Sequence, residues 1–385
     1  MPPTWAILTR VKLIEYLCIL RTLATTARVV AEVSLAIITP TCMLETFACA
    51  KMFRWKFWDA AVKANSPSQF LPFTLFRENS TIPDIFKKKA FEELRERPEL
   101  LAQQLENFRL WYLATPSLCC PVDDTFLLAF LRYTHFDCRR AAERLSNFCL
   151  FRAHLAPHWF QYRTYGSELT NNFLTSRQFL PLGFTTQGVL CMLFRSAFVN
   201  LDKFSCDDLV TWSQIWNDVL MMDQRVQIGG VAFIVDLQGM TEEQVYKMES
   251  GKKCQLGAQY FQDALPLHIT QFVYCNTPAF LEGDHRIGTR WLSDCNAGKI
   301  IIADKDMSNA YEAVPGLKDL MPSEYGGTRG SYEEIWGETE DTIRAISRSL
   351  PRFVIDINAG RQAETSSAYT HAKAEVATES HELHV

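Results

Sequence analysis

The feature that most constrains this chain is an alternation of short, continuous apolar runs with sequences that start helices. Residues 189–194 form one such run, bounded in front by Gly188 and ended by Arg195; residues 231–235, 269–275 and 299–303 have the same character. Runs of this length, rich in β-branched and aromatic residues, suit strands buried on both faces of a sheet with parallel character. A half-exposed strand would instead alternate apolar with polar residues. Between the runs lie helix signals. Ser205 with Asp208 resembles a capping box ahead of a stripe of Leu209, Trp212, Trp216 and Val219, and Thr241 with Gln244 matches one more closely. Strand, helix, strand, helix, strand in that order implies an α/β layer architecture.

Upstream the pattern is helical. Residues 86–97 suggest a short helix, and Pro98 suits the first turn of the next, where Leu100, Leu101, Leu105, Phe108 and Trp111 recur at helical spacing. After a loop at 115–121, Asp123 or Asp124 caps a third helix bearing Phe126, Leu127, Phe130 and Leu131. Asp137 caps a fourth, with Ala142, Leu145, Phe148 and Phe151 on one face. The expected organisation is an unassigned extension over 1–82, a helical subdomain over 83–155, an α/β domain over 156–335, and a C-terminal helix with a disordered tail over 336–385.

Composition excludes several classes. Hydrophobic residues make up 48% and charged residues 22% of the 385, which fits a globular protein with a full core. A net charge of −5 supplies no global positive field, so no nucleic-acid partner is expected. The 12 cysteines are scattered without a CxxC pair and read as reduced, buried thiols. The apolar stretch 29–50 is interrupted by Glu32, Pro40 and Glu45, and Glu15 falls inside what would be a signal-peptide core. A cytoplasmic protein is therefore expected. In residues 51–58 cations alternate with large aromatics, which reads either as an interfacial membrane anchor or as an ordinary half-buried segment. Residues 1–75 also fit an extension upstream of the true start.

Signatures of chemistry are missing. Gly229-Gly230 and Gly326-Gly327 lack the spacing of a phosphate loop, and neither GxSxG nor HExxH occurs. Asp236 follows an apolar run at a place where α/β enzymes keep active groups, but it also reads as a turn-forming residue. Cys275 and His268 are seven residues apart, which places them on opposite faces of a strand. His371, His381 and His384 lie in a polar tail without partnering cysteines. No enzyme activity, cofactor or metal is expected. Trp212, Trp216, Met221, Met222, Tyr260, Phe261, Phe272, Tyr274 and Phe280 suit an adaptable pocket for an apolar ligand, and equally a plain core.

Three blocks carry a resemblance. Residues 124–137 (DTFLLAFLRYTHFD), 230–240 (GVAFIVDLQGM) and 320–327 (LMPSEYGG) resemble, in order and spacing, the CRAL-TRIO (Sec14-like) lipid-binding family. Residues 263–278 (DALPLHITQFVYCNTP) also look like that family, closest to its tocopherol-transfer and insect-carrier branch. The resemblance implies a CRAL-TRIO fold: a small N-terminal helical subdomain packed on a mixed or parallel-sheet α/β lipid-binding domain. It implies a non-enzymatic carrier that encloses a tocopherol, retinoid, carotenoid or phospholipid and exchanges it at membranes, opened by a mobile helix. Carried over by position, the pocket would be lined by Val210, Ser213, Asn217, Val231, Val235, Tyr260, Phe261, Leu265 and Ile269. Asn217 or Ser213 would hold the ligand's polar end, or else satisfy a helix carbonyl.

The chain departs from the family where tocopherol-transfer relatives grip phosphoinositides. His268 and Thr270 stand where those relatives have cations, and Gly283 and Gly288 interrupt the segment where an apolar gate helix would run. Arg132, Lys252, Lys253 and His268 are left as candidate phosphoinositide or membrane-surface residues. The rebuilt segment motivates a second hypothesis, a ligand-free adaptor acting through protein contacts.

Overall fold

In the computed structural model the described residues are 81–115, 123–160, 176–199, 204–248, 251–281 and 292–353. All lie within one compact unit. The expected anchor run at 51–58, the extension 1–75, and the polar residues after 353 fall outside them.

Four helices come first: α1 (Asp84–Glu93), α2 (Pro98–Leu113), α3 (Asp124–Tyr133) and α4 (Cys138–Leu150). Pro98 occupies the first turn of α2, where its missing N–H costs nothing. Asp123 caps α3 by accepting from the Phe126 amide, and Asp137 caps α4 by accepting from the Arg140 amide. The inward faces pack solidly: Phe126, Leu127, Phe130, Leu131, Leu145 and Phe148 are all fully buried. Phe126, Phe130 and Phe148 meet edge to face with centroids 5.1–5.8 Å apart, the arrangement ring quadrupoles favour. A π-helical turn, Phe151–Leu155, continues α4.

The sheet has five strands in sequence order: β1 (Phe179–Phe184), β2 (Leu190–Arg195), β3 (Val231–Asp236), β4 (Ile269–Cys275) and β5 (Ile300–Ile302). β1 pairs antiparallel with β2, and every later pairing is parallel. The sequence reading passes over β1, because Pro181 and Gly183 both argue against a strand. The structure accommodates them at an edge, with a register shift between those two residues, which is where proline is tolerated in a sheet.

Parallel neighbours need crossovers. α5 (Cys206–Met221) and α6 (Gln224–Gly229) join β2 to β3; α7 (Glu242–Met248) and α8 (Gly251–Gln259) join β3 to β4. The Ser205/Asp208 capping box is formed in both directions, and Thr241 and Gln244 exchange the equivalent pair of hydrogen bonds. Gly230 enters β3 at φ 79°, and a Cβ there would stand 2.8 Å from the His268 carbonyl, so only glycine fits. After β5 come α9 (Ser308–Ala313) and the long α10 (Tyr332–Phe353). A Ser331/Glu334 reciprocal cap starts α10 just ahead of the expected boundary at 336.

Two buried arginines tie the helical layer to the α/β layer. Arg132 donates to both carboxylate oxygens of Glu96 at 2.8 and 3.1 Å, and to the side-chain oxygens of Gln227 at 2.7 Å and Gln224 at 3.1 Å. Arg152 pairs with Asp218 of α5 and donates to the Tyr260 hydroxyl at 3.2 Å, its guanidinium lying over the Phe148 and Phe160 rings. Buried charges of this kind persist only when their hydrogen bonds are met. Arg132 is therefore a structural tie and not the surface cation expected of it: its side chain is 2% exposed.

Candidate functional site

A cavity of about 540 Å³ opens between α5, the sheet, and the segment from α8 to β4. Its walls follow from strand alternation. Along β3 the exposure alternates: Ala232, Ile234 and Asp236 are buried, whereas Phe233 and Val235 are half-buried and line the cavity. In β4, Val273 and Cys275 are buried while Phe272 and Tyr274 line it. The apolar runs of β3 and β4 therefore are not packed on both faces as the sequence suggests, whereas Leu190, Cys191, Met192 and Leu193 of β2 are. In β3 and β4 one face is core, and the other is the wall of a void.

α5 divides its sides in the same manner. Trp212, Ile215, Trp216 and Val219 are buried in the core. Val210, Ser213 and Asn217, at helical spacing on the adjoining side, are half-buried and face the cavity. The opposite wall comes from Tyr260, Phe261 and Leu265, around the π-helical turn Tyr260–Ala264 that ends α8. That turn is held by the helical layer: Arg144 of α4 donates to the Leu265 carbonyl at 2.8 Å and the Gln262 carbonyl at 2.5 Å. Burial raises the Tyr260 hydroxyl far above its usual pKa, so it stays a neutral hydrogen-bonding group.

Eight of the nine expected lining residues meet around this one cavity: Val210, Ser213, Asn217, Val235, Tyr260, Phe261, Leu265 and Ile269. Val231 is the correction. It shares strand parity with Phe233 and Val235, but at the strand's first position, beside a register shift against β4, it is fully enclosed in the core. Asn217 donates to the Gln214 side-chain oxygen at 3.1 Å, a partner on its own helix that the sequence reading did not consider.

Among the surface candidates, Lys253 lines the cavity and pairs with Asp207 at 2.7 Å. His268 is exposed, with its carbonyl bound by the Val231 amide. The Lys252 side chain lies outside the described residues, as do residues 282–291 of the expected gate segment 281–299. Leu281, immediately before those residues, lines the cavity, and Phe280 beside it is 44% exposed.

Sequence reasoning missed three polar lining residues, Gln178, Ser196 and Gln214. A glutamine before a strand and a serine after one carry no signal of their own.

The remaining candidate chemistry turns away from the cavity. Asp236 accepts from the Tyr325 hydroxyl at 2.5 Å, Asn276 at 2.9 Å and the Gln238 amide at 3.0 Å, linking β3 to the 320–327 block and to the residue after β4. It is a turn and anchor residue. Cys275 pairs in register with Asp236 on the buried face, and burial pushes its thiol up to about 12. Cys149 and Cys191 are likewise buried, but Cys138 and Cys295 are exposed, contrary to the expectation that the thiols are buried. Among the described residues no His, Cys, Asp and Glu side chains gather as a metal site.

The 320–327 block is explained by contacts. A Cβ on Gly327 would come within 2.0 Å of the Met321 carbonyl oxygen, and Tyr325 reaches Asp236. The sequence profile of the CRAL/TRIO domain matches residues 175–327, which contain all five strands and the whole cavity wall except Trp159. Residues 175–327 are a CRAL/TRIO domain.

Similarity to curated proteins extends beyond that domain. Clavesin-1 of Xenopus laevis is 25% identical over 262 residues, covering 64% of this chain and 74% of its own length. Clavesin-2 of Homo sapiens is 22% identical over 274 residues, covering 66% of this chain and 77% of its own. The solved structure titled "Crystal structure of Sfh5" aligns at 14% identity over 64% of this chain and 88% of that one, with a TM-score of 0.36. The expected place in the tocopherol-transfer branch rests on the sequence blocks alone.

Proposed function

We propose that this CRAL/TRIO protein is a non-enzymatic carrier that encloses one apolar small molecule or lipid and exchanges it at membranes. The observation that carries this is the cavity itself: half-buried Phe233, Phe272, Tyr274 and Val235 face a void of about 540 Å³ instead of a packed layer. Pockets of roughly 300–1,000 Å³ with mainly apolar walls suit single small-molecule ligands. Leaving aromatic walls against water forgoes about 25 cal/mol for every Å² that an apolar ligand would cover. A tocopherol, retinoid or carotenoid chain, or the acyl portion of a phospholipid, supplies such a surface.

The absence of an enzyme role belongs to the same proposal. Among the described residues, the candidate carboxylate Asp236 and the thiol Cys275 belong to the buried side of the sheet. Leu281 at the cavity and exposed Phe280 beside it make the start of the 282–291 segment the proposed point of membrane contact. This contact is proposed as peripheral and from the cytoplasm; among the described residues no helix is long and apolar enough to cross a membrane.

Native mass spectrometry of the full chain from a eukaryotic host, with organic extraction, tests the proposal. One bound lipid or isoprenoid per chain is expected. A protein that is always unliganded, and refuses tocopherol, retinoid and phosphatidylinositol, would instead support the adaptor reading.

A further inference from the structure

Gln178 and Ser196 both line the cavity, and both are almost completely buried, at 1% and 4% exposure. Each also carries a side-chain oxygen with no hydrogen-bond partner among the described residues: Oε1 of Gln178 and Oγ of Ser196. Buried polar atoms are nearly always partnered, so two such atoms on one cavity wall point to a missing partner. The two residues are neighbours by construction. Gln178 precedes β1 and Ser196 follows β2, and the Arg195 amide donates to the Gln178 carbonyl at 2.9 Å. The Gln178 amide group is also oriented: its Nε2 donates to the Phe198 carbonyl at 3.3 Å, so Oε1 is the free end, an acceptor.

Resting on the carrier reading above, we infer that Gln178 and Ser196 form the polar end of the cavity and take a neutral hydroxyl group at the terminus of an otherwise apolar ligand. A hydroxyl can donate its hydrogen to Gln178 Oε1 and accept one from Ser196 Oγ, meeting both unpartnered atoms at once. An aldehyde, ester or ether oxygen can accept from Ser196 but leaves Gln178 unmet. A phosphate or carboxylate would need a cation. The adjacent Arg195 does not line the cavity: its guanidinium lies over the Phe198 and Tyr332 rings, 4.5 and 4.3 Å from their centroids. Lys253, the cation that does line it, is engaged with Asp207. Phe179, next to Gln178, and Phe194, two residues before Ser196, also line the cavity with ring centroids 4.9 Å apart. The hydroxyl would therefore sit beside apolar walls, where water competes poorly for its hydrogen bonds.

The test compares hexadecanol with its methyl ether, each displacing a fluorescent fatty-acyl probe from the full-length protein. The two share the same alkyl chain and an accepting oxygen, but only the alcohol can donate a hydrogen bond, its hydroxyl hydrogen being replaced by a methyl group in the ether. In the unmodified protein the alcohol should bind about tenfold more tightly than the ether. In Gln178→Met that ratio should fall toward one, with the ether's own affinity unchanged as the internal check on folding, whereas Ser196→Ala should weaken alcohol and ether alike and leave the ratio standing. Tight but equal binding of alcohol and ether to the unmodified protein overturns the polar end and leaves the carrier reading standing. Binding of neither overturns the carrier reading and the polar end with it.

Discussion

The helical layer and the cavity wall are built from the same kinds of residue and packed in opposite ways. In α3 and α4, Phe126, Phe130 and Phe148 are fully buried and in mutual edge-to-face contact. In β3 and β4, Phe233 and Phe272 stack on each other with centroids 5.7 Å apart, yet their outward surfaces meet the cavity. Apolar content alone does not reveal whether a side chain fills a core or lines a space for something else. The difference comes from what stands opposite. α3 and α4 close on their neighbours, whereas α5 and the Tyr260 turn are held apart from the sheet by Arg152 with Asp218 and by Arg144 with the 262 and 265 carbonyls.

The sharpest way to break this comparison is paired truncation. Phe130→Ala should destabilise the fold by about 3–5 kcal/mol, as expected for emptying a packed site. Phe233→Ala, beside an existing void, should cost less than half as much in urea denaturation while weakening ligand binding. Equal losses would mean that the wall is packed core.

Charges offer a second contrast. Arg132→Met leaves Glu96 buried without its partner and should cost about 3–5 kcal/mol. Lys253→Met, at a partly exposed pair with Asp207, should cost about 1 kcal/mol or less. Chemical denaturation separates the two. A small loss for Arg132→Met would return that residue to the surface role read from the sequence.

Smaller effects probe the seam behind the wall. Tyr325→Phe removes one of the three hydrogen bonds to Asp236 and should cost about 1–1.5 kcal/mol, without changing ligand affinity. A loss of affinity equal to that of Phe233→Ala would place Asp236 in the site.

Near neutral pH the smallest expected effect is an alkaline one, which grows only as pH rises. The Cys275 thiol is raised to about 12 in the folded chain, against about 8.5 for a free cysteine. The folded state therefore holds a proton that the unfolded state releases. This contribution to stability is complete below about pH 8.5 and is lost as pH rises toward the folded value. Iodoacetamide at pH 8 should label exposed Cys295 quickly and Cys275 only on unfolding. Rapid labelling of Cys275 in the native protein would contradict its place on the buried face.

Much of the fold was legible because its signals are local. The caps at Asp123, Asp137 and Ser205 bind amides three residues away, so sequence spacing reports them directly. Four of the five strands were visible as apolar runs. β1 was hidden because Pro181 and Gly183 contradict strand propensity, and only its antiparallel partner at the sheet edge makes it a strand. The lining positions carried over from the family resemblance mostly meet at the cavity, since strand and helix periodicity fixes which residues share a side. Val231 departs from them because the end of a strand is closed by whatever packs over it.

By itself, the sequence determined the order of elements, their caps, the apolar strands and the family blocks, all set by interactions within a few residues or by periodicity. Tertiary structure alone decided that one face of the sheet borders a void, that Arg132 is buried against Glu96 36 residues away, and that Gln178 and Ser196 converge unpartnered on the same wall. Burial and hydrogen-bond satisfaction depend on what the fold places opposite a side chain, and residues distant in the chain supply that.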